Sequence, residues 1–196
     1  MQVNFFSRKE VIYYIRLAER RKCVTDRELI RKVHTGNKEA LNEIVRMYYD
    51  DIYRFCFYLT GHDADSYDIT QDVFLRFIKY VDSYTNNNLK GYLLIIARNL
   101  CRDYFRKKND GSAAVLPSEV ICTENSIDNV ELQFFLKGLL KEIPVEQREV
   151  IVLRIHEELK FKDIAKMLGC NISTVKSRFR LGIERLRKEM EGFELE

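Results

Sequence analysis

The chain contains no tryptophan and only two prolines and eight glycines in 196 residues. Helix-breaking residues are therefore scarce, and runs that alternate apolar and polar residues are nearly absent, so the sequence predicts an all-α fold. No apolar stretch approaches the ~20 residues that a membrane-spanning helix needs. Charges interrupt the amino-terminal segment before it reaches the length of a signal-peptide core. We expect a cytoplasmic protein without membrane insertion.

The cysteines and histidines form no metal-binding or redox motif. No two of the five cysteines make a C-x-x-C pair: they are Cys23, Cys56, Cys101, Cys122 and Cys170. Scattered cysteines in odd number indicate reduced thiols, and the three histidines lack ligand-like spacing to them. Acid–base clusters and a glycine-rich phosphate loop are also missing, so we predict no metal, no cofactor and no catalytic residue. An enzyme such as a nuclease is the rival class, which metal-dependent cleavage of DNA would support.

The net charge of +3 is distributed very unevenly along the chain. Residues 92–108 carry five bases and one acid, whereas residues 109–136 carry five acids and no base. The acidic stretch begins with the helix breakers Gly111, Ser112 and Pro117, so it predicts a flexible linker between two helical bundles. The resulting division is an amino-terminal extension at 1–24, a first bundle at 25–108, the linker at 109–127 and a second bundle at 128–196.

The first bundle contains four predicted helices. "TDRE" at 25–28 has the capping-box pattern, with Thr25 as N-cap and Glu28 reaching back. The second helix follows Asn37 and ends at Gly61, and the third begins near Asp63. Helical spacing places these apolar residues inward: Leu41, Val45, Tyr48, Ile52, Phe55 and Leu59 on the second helix, and Ile69, Val73, Phe77 and Val81 on the third.

The fourth helix follows the polar loop "SYTNNNLKG" and is predicted to start at Gly91. One face is apolar and consists of Leu93, Ile96, Ala97, Leu100 and Tyr104. The opposite face is polar and basic and consists of Arg98, Asn99, Arg102 and Arg106. We expect this second face to be exposed.

In the second bundle, Pro144 suits the first turn of a helix, and "VEQREVIVLRIH" continues that helix. Its mostly buried residues are predicted to be Val150, Ile151, Leu153 and Ile155. "KFKDIAKMLGCNISTVKSRFRLGIERLRKEM" then predicts a helix-turn-helix. Ala165 is small where the helices cross, Gly169 suits a left-handed turn, and Asn171 can cap the next helix by accepting the Thr174 amide. The inward residues are Ile164, Leu168, Val175, Phe179, Ile183 and Leu186.

The second helix of this motif presents a basic face outward. Residues 171–188 carry six bases and one acid. The outward residues are Ser173, Thr174, Lys176, Ser177, Arg178, Arg180 and Leu181. Recognition helices place such side chains at base edges and phosphates of the major groove, so we predict DNA binding here. The alternative is an amphipathic helix whose basic face is only solvated.

Two blocks of the sequence resemble one family. "IPVEQREVIVLR" and "DIAKMLGCNISTVKSRFRLGIERLR" resemble the promoter-binding carboxyl domain of bacterial sigma factors. "EALNEIVRMYYDDIYRFCFYLTGHDADSYDITQDVFLRF" and "GYLLIIARNLCRDYFRKK" resemble the amino domain of the same family. Their order and the short linker resemble the extracytoplasmic-function group, and the resemblance covers about residues 25–190. The family commonly has other residues at five positions: tryptophan at Ile78 and Tyr92, glycine at Glu158, serine at Lys160 and alanine at Gly182. These positions are expected in the core or at caps, where they affect stability rather than role.

The resemblance implies core RNA polymerase, promoter DNA and an anti-sigma factor as partners. It implies polymerase contacts from "YDITQDVF" at Asp68, Gln71, Asp72 and Arg76. It implies minus-ten contacts at Asn86, Asn87, Asn88, Arg98, Asn99, Arg102 and Arg106, and minus-thirty-five contacts from the outward face of the last helix. It also suggests that the acidic linker threads through the polymerase, although a solvated tether explains that linker equally well.

Two of these assignments also have ordinary structural explanations that involve no binding function. On periodicity alone, Asp68 and Asp72 are ordinary solvent-facing acids, and three consecutive asparagines form first of all a flexible loop. A transcriptional regulator that does not bind polymerase is a second rival function. It explains the helix-turn-helix but leaves "YDITQDVF" and the basic fourth helix without a role, and co-migration with core polymerase distinguishes the two.

Overall fold

A computed structural model describes residues 25–85, 88–109 and 138–193. The seven α-helices with described bounds are α1 Asp26–His34, α2 Lys38–Thr60, α3 Asp63–Tyr80, α4 Leu89–Asn109, α5 Val145–Ile151, α6 Phe161–Leu168 and α7 Ile172–Phe193. A 3-10 turn, Val81–Ser83, follows α3, and a π-helical turn, Val152–His156, continues α5. These residues contain no strand, which confirms the all-α prediction. The predicted extension and linker lie outside the described residues.

The predicted helix boundaries of the first domain largely hold, because local signals set them. Thr25 Oγ1 accepts a hydrogen bond from the Glu28 amide at 3.4 Å. The Glu28 carboxylate, however, pairs with Lys32 at 3.2 Å, so only half of the expected capping box forms. Asn37 Oδ1 accepts from the Ala40 amide at 3.0 Å, and α2 ends at Gly61 with φ of 71°.

Helix α4 begins at Leu89, two residues before the predicted start at Gly91. The reason is Asn88, whose Oδ1 accepts a hydrogen bond from the Gly91 amide at 2.9 Å and so caps the first turn. A Cβ at Gly91 would lie 2.6 Å from Asn88 Nδ2, so the glycine leaves room for this cap.

In the first domain α2 packs against α1, α3 and α4. The predicted inward residues of α3 are buried, and the core also contains Ile44, Ile52, Phe55, Leu89, Leu93 and Ala97. One expectation is wrong: Ile78 is 41% exposed and is therefore not a core residue. Tyr92 is half-buried and lies against Tyr84, with ring centroids 4.9 Å apart.

In the second domain α5 and α6 both pack against α7. Pro144 is the N-cap of α5 rather than a first-turn residue. Val150, Ile151 and Leu153 are buried as predicted, but Ile155 is 58% exposed. The π-turn explains this error, because the Glu157 amide donates to the Val152 carbonyl five residues back, and the wider turn rotates Ile155 off the buried face.

Close helix packing in the second domain depends on Gly182. A Cβ at this position would lie 2.6 Å from Ile151 Cδ1 and 3.3 Å from Gln147 Cβ. Helix α7 therefore approaches α5 closely where Gly182 stands, and the alanine common in the family would require Ile151 to move.

Candidate nucleic-acid and protein interfaces

Helices α6 and α7 form the predicted helix-turn-helix. Gly169 adopts a left-handed conformation with φ of 64°, and the Cys170 amide donates to the Ala165 carbonyl at 3.1 Å. This 6→1 bond closes α6 in the manner of a Schellman motif, for which glycine is the preferred residue. Ala165 is buried at the crossing. The expected Asn171 side-chain cap is not formed, although its backbone carbonyl accepts the first intrahelical bond of α7 from the Val175 amide at 3.2 Å.

The outward face of α7 has the expected exposure. Five of its seven predicted residues are exposed: Ser173, Lys176, Ser177, Arg180 and Leu181. Thr174 and Arg178 are half-buried at the edge of the face. On the opposite side Val175 is fully buried. Hydroxyls near the start of the helix are thus followed by lysine and arginine, an arrangement that can meet base edges and flanking phosphates.

Sequence reasoning missed two lysines beside this face. Lys162 and Lys166 are exposed on α6 and line a shallow cleft together with Asn171 and Thr174 at the start of α7. In helix-turn-helix proteins the first helix crosses the DNA backbone, where lysine side chains contact phosphates. The sequence feature that could have identified these two lysines is their i, i+4 spacing, which places them on one face of the helix before the turn.

Helix α4 carries a second basic surface. Asn99, Arg102 and Arg106 are exposed, and Arg106 forms an exposed pair with Asp103 at 3.2 Å. Lys108 lies over the Tyr104 ring, 5.7 Å from its centroid. The exposed positive charge therefore concentrates in the carboxyl-terminal half of the helix.

Arg98 does not belong to this exposed surface, contrary to the sequence prediction. It is buried, and its Nε donates to Glu149 Oε1 on α5 in the second domain. The prediction failed because helical periodicity places Arg98 opposite the first-domain core but cannot show that the second domain covers it. Burial raises the pKa of Glu149 above its usual value, and the nearby guanidinium groups of Arg98, Arg102 and Arg178 oppose that shift.

The asparagines of the loop before α4 are only partly described. Asn86 and Asn87 lie outside the described residues. Asn88 is exposed, but its Oδ1 is engaged in the cap of α4. Its amide nitrogen is the group left to contact a base.

The exposed face of α3 combines polar and apolar side chains. Asp68, Gln71, Asp72 and Arg76 are all exposed, as expected. The same helix also exposes four large apolar side chains that sequence reasoning missed: Tyr67 at 51%, Leu75 at 62%, Ile78 at 41% and Tyr80 at 50%. The sequence feature that could have identified this face is helical spacing, which places residues 67, 71, 75 and 78 on one side of the helix. Such contiguous apolar exposure on a charged helix is typical of a protein-binding surface.

The described residues contain neither a candidate metal site nor a candidate membrane span. No group of three or more histidine, cysteine, aspartate or glutamate side chains is arranged to hold a metal ion in that part of the chain. No helix within the described ranges combines the length and the apolarity needed to cross a bilayer.

Two family models match the chain in the order expected from the fold. The Sigma-70 region 2 model matches residues 44–110, which contain most of α2 and all of α3 and α4. The Sigma-70 region 4 model matches residues 136–186, which contain α5, α6 and most of α7.

Similar proteins agree with these models. The chain is 31% identical to the ECF RNA polymerase sigma factor SigW of Bacillus subtilis over 176 residues, covering 82% of this chain and 94% of that protein. It is 30% identical to the sigma factor SigE of Mycolicibacterium smegmatis, covering 78% of this chain and 63% of that protein. A solved structure of the sigma factor RpoE with the anti-sigma factor NepR from Bartonella quintana superposes with a TM-score of 0.65 at 26% identity, covering 76% of this chain and 96% of that one.

The fold and the two family models therefore define a promoter-recognising transcription factor of bacterial type. The chain belongs to the ECF RNA polymerase sigma factors. Members of this family bind core RNA polymerase, direct it to promoters and are initiation factors rather than catalysts.

Proposed function

We propose that three surfaces of this chain each bind a different partner during transcription initiation. The exposed face of α3, with Asp68, Gln71, Asp72 and Arg76, docks on core polymerase. The carboxyl-terminal half of α4, with Asn99, Arg102 and Arg106, binds the minus-ten element together with the asparagine loop before it. The outward face of α7, from Ser173 to Leu181, reads the minus-thirty-five element in the major groove.

The observation that carries the proposal is the position of exposed basic helices on two separate domains. Phosphates can reach four exposed bases, Arg102 and Arg106 on α4 and Lys176 and Arg180 on α7, and the one ion pair among them, Arg106 with Asp103, is itself exposed. Such contacts give binding that weakens with salt, whereas a bidentate arginine at a base edge gives about 1–3 kcal/mol of discrimination.

The minus-ten contact is assigned to melted DNA rather than duplex. Binding of a single strand combines a positive groove that follows the backbone with aromatic or polar groups that meet the bases. Helix α4 offers that combination, because Tyr104 and Phe105 are half-buried beside the exposed Arg102 and Arg106. Asn86, Asn87 and Asn88 are the candidates for contacts to base edges, and Arg98 joins the phosphate contacts only when it is released from Glu149.

The polymerase contact is assigned to α3 because its exposed face mixes charge with apolar area. Leu75 and Ile78 can be buried in a partner while Asp72 and Arg76 pair at the rim, which is the usual anatomy of a protein interface. Leu75 at 62% and Ile78 at 41% exposure lie three residues apart on the helix, so they form one apolar area rather than isolated exposed side chains.

Three further assignments belong to the same proposal. The chain itself catalyses no reaction, since the polymerase performs the chemistry. It acts in the cytoplasm, where core polymerase and promoters are found. An anti-sigma factor regulates it, as the similar RpoE is bound by NepR.

The test is run-off transcription from a genomic promoter pool with purified core polymerase. Discrete start sites that depend on the added chain are expected, together with co-migration of chain and core polymerase on size exclusion. A chain that binds promoter DNA but neither co-migrates nor starts transcription would be a simple regulator, and the proposal would be wrong.

A further inference from the structure

Helix α1 connects α2 to the 3-10 turn that precedes the asparagine loop, residues 85–88. At the first residue of α1, Asp26 Oδ1 accepts a hydrogen bond from Tyr48 Oη of α2 at 2.7 Å. At its last residue, His34 Nε2 lies 2.8 Å from the carbonyl oxygen of Val81, 47 residues further along the chain. Helix α1 therefore holds the 3-10 turn in a fixed position relative to α2.

The bond between His34 and Val81 has a defined direction. A carbonyl oxygen only accepts hydrogen bonds, so the His34 ring carries a proton on Nε2 and donates it. The same carbonyl accepts the Tyr84 amide at 3.0 Å, so both of its lone pairs are used. Val81 is buried, whereas His34 is exposed. Loss of the His34 bond should therefore leave the core packed and change chiefly the direction in which the chain leaves the turn.

Tyr84 stands at the entry to the asparagine loop. It is buried, and its ring lies against Tyr92 of α4 with the ring centroids 4.9 Å apart. Burial is the main cause that raises the pKa of Tyr84 to about 12; the charge of Asp26 raises it further, and the Asn88 backbone amide opposes the shift. The Tyr84 hydroxyl has no hydrogen-bond partner among the described residues, but it lies near both the start of α1 and the last residue of the loop.

Asn88 is fixed at the exit from the same loop. Its Oδ1 accepts the Gly91 amide at 2.9 Å, and its backbone carbonyl accepts the Tyr92 amide at 3.1 Å. Because the side-chain amide group is planar, the cap bond to Oδ1 also sets the direction of Nδ2. This exposed Nδ2 can donate to a base.

The groups that hold a binding side chain decide how selective it is. Such a side chain has to be held to within about 0.5 Å of its working position by the packing and hydrogen bonds behind it. We propose that His34 is a positioning residue for minus-ten recognition. Its hydrogen bond to the Val81 carbonyl fixes Tyr84, and through Tyr84 it fixes the place from which Asn88 Nδ2 meets a base of the melted strand. The inference rests on the proposed function above, which assigns the asparagine loop to the minus-ten element.

The test measures base preference in the holoenzyme of core polymerase and the full chain. The probes are non-template-strand oligonucleotides that carry the minus-ten sequence of a promoter found by run-off transcription, with each base replaced in turn. His34→Ala should reduce the preference for the native base by about two- to tenfold at the position that Asn88 reads, as expected for the loss of one hydrogen bond. Binding to core polymerase and to minus-thirty-five duplexes should not change.

Two further substitutions separate positioning from stability. His34→Gln should restore most of the base preference, because the glutamine Nε2 can donate to the same carbonyl. Thr35→Ala is the matched control: Thr35 Oγ1 donates to the Lys32 carbonyl at 2.8 Å, a bond of the same kind that stays within the end of α1. It should leave the preference unchanged. A purely structural role would instead lower the thermal stability of the His34→Ala variant and weaken binding to every probe alike.

Asn88→Asp identifies the base that the loop reads, because aspartate keeps the oxygen of the cap and removes the amide donor. If Asn88→Asp changes the preference at one position and folded His34→Ala does not, the positioning role is wrong. If Asn88→Asp changes it at no position, the minus-ten assignment of the loop is wrong, and the positioning role falls with it. Should His34→Ala fail to fold, His34→Met, which is similar in length to glutamine and has no donor, replaces it in the comparison with His34→Gln, and equal preferences would overturn the proposal.

Discussion

Arg98 of α4 and Glu149 of α5 form a buried ion pair that joins the two domains of the chain. The pair removes from the surface an arginine that helical periodicity places on the outward face of α4 and that the family resemblance places among the DNA contacts. It also brings an acid of the promoter-reading domain to within bonding distance of the helix that would bind melted DNA. Whether a charged side chain is exposed and able to contact DNA therefore has to be judged from the whole fold and not from the periodicity of one helix.

Replacing Arg178 with alanine should weaken promoter use that depends on the minus-thirty-five element. A lost bidentate contact corresponds to about 1–3 kcal/mol, or roughly 5–150-fold in binding. Binding to duplexes with and without the element measures the effect. Lys188→Ala removes an exposed base outside the predicted face of the same helix and is the control. Equal losses in both variants would contradict the position of the recognition face.

Replacing Asp72 with arginine should weaken binding to core polymerase by about tenfold or more, because a like charge would be placed in a complementary interface. Helical content by circular dichroism should not change, since Asp72 is exposed. Asp82→Arg makes the same charge change on the exposed 3-10 turn outside this face. Affinity unchanged for Asp72→Arg would reject α3 as the docking helix.

Replacing Glu158 with glycine should raise stability. Glu158 has φ of 54°, a left-handed conformation that costs a residue with a side chain roughly 1–2 kcal/mol. We expect a gain of about 1 kcal/mol after the greater chain entropy of glycine is subtracted. Thermal unfolding measures it. Glu184→Gly, at an exposed position within α7, should lose about 1 kcal/mol instead, and a loss in both variants would contradict the explanation.

Replacing Lys160 with serine should also raise stability, by about 1 kcal/mol. Lys160 is the N-cap of α6, yet its side chain makes no cap hydrogen bond. A serine hydroxyl there can accept from a first-turn amide such as that of Asp163. Lys160→Ala removes the same charge without adding a cap, so denaturant unfolding of the serine and alanine variants isolates the contribution of the hydroxyl. Equal midpoints would show that no cap is gained.

The buried Glu149 should make stability depend on pH. Its pKa in the folded chain is raised by burial, so between its unfolded and folded pKa values the folded chain binds more protons than the unfolded chain. Its contribution to stability is therefore present at acidic pH and is lost as pH rises through the folded pKa. Unfolding midpoints of wild type and Glu149→Gln from about pH 4 to 7 should show the wild type losing stability relative to the variant, starting from the usual glutamate pKa near 4.3. A difference independent of pH would contradict the raised pKa.

Helix ends were predictable because their signals are local. Asn37 and Gly61 bracket α2, and Gly169 makes the turn before α7, as the sequence indicated. Each of these positions depends on a backbone conformation or a hydrogen bond within a few residues. The errors at Ile155 and Arg98 have a different origin. The π-turn rotates Ile155 off the buried face of its helix. Contact with the second domain buries Arg98.

The sequence by itself determined the all-α fold, the turn of the helix-turn-helix and the outward face of α7, because helical spacing and turn residues depend on neighbours along the chain. Only the tertiary structure decided which charges of α4 meet solvent and which meet Glu149 and Glu157. The physical reason is that burial and pairing of a charge depend on groups about fifty residues or more away along the chain. Periodicity within one helix carries no information about those groups.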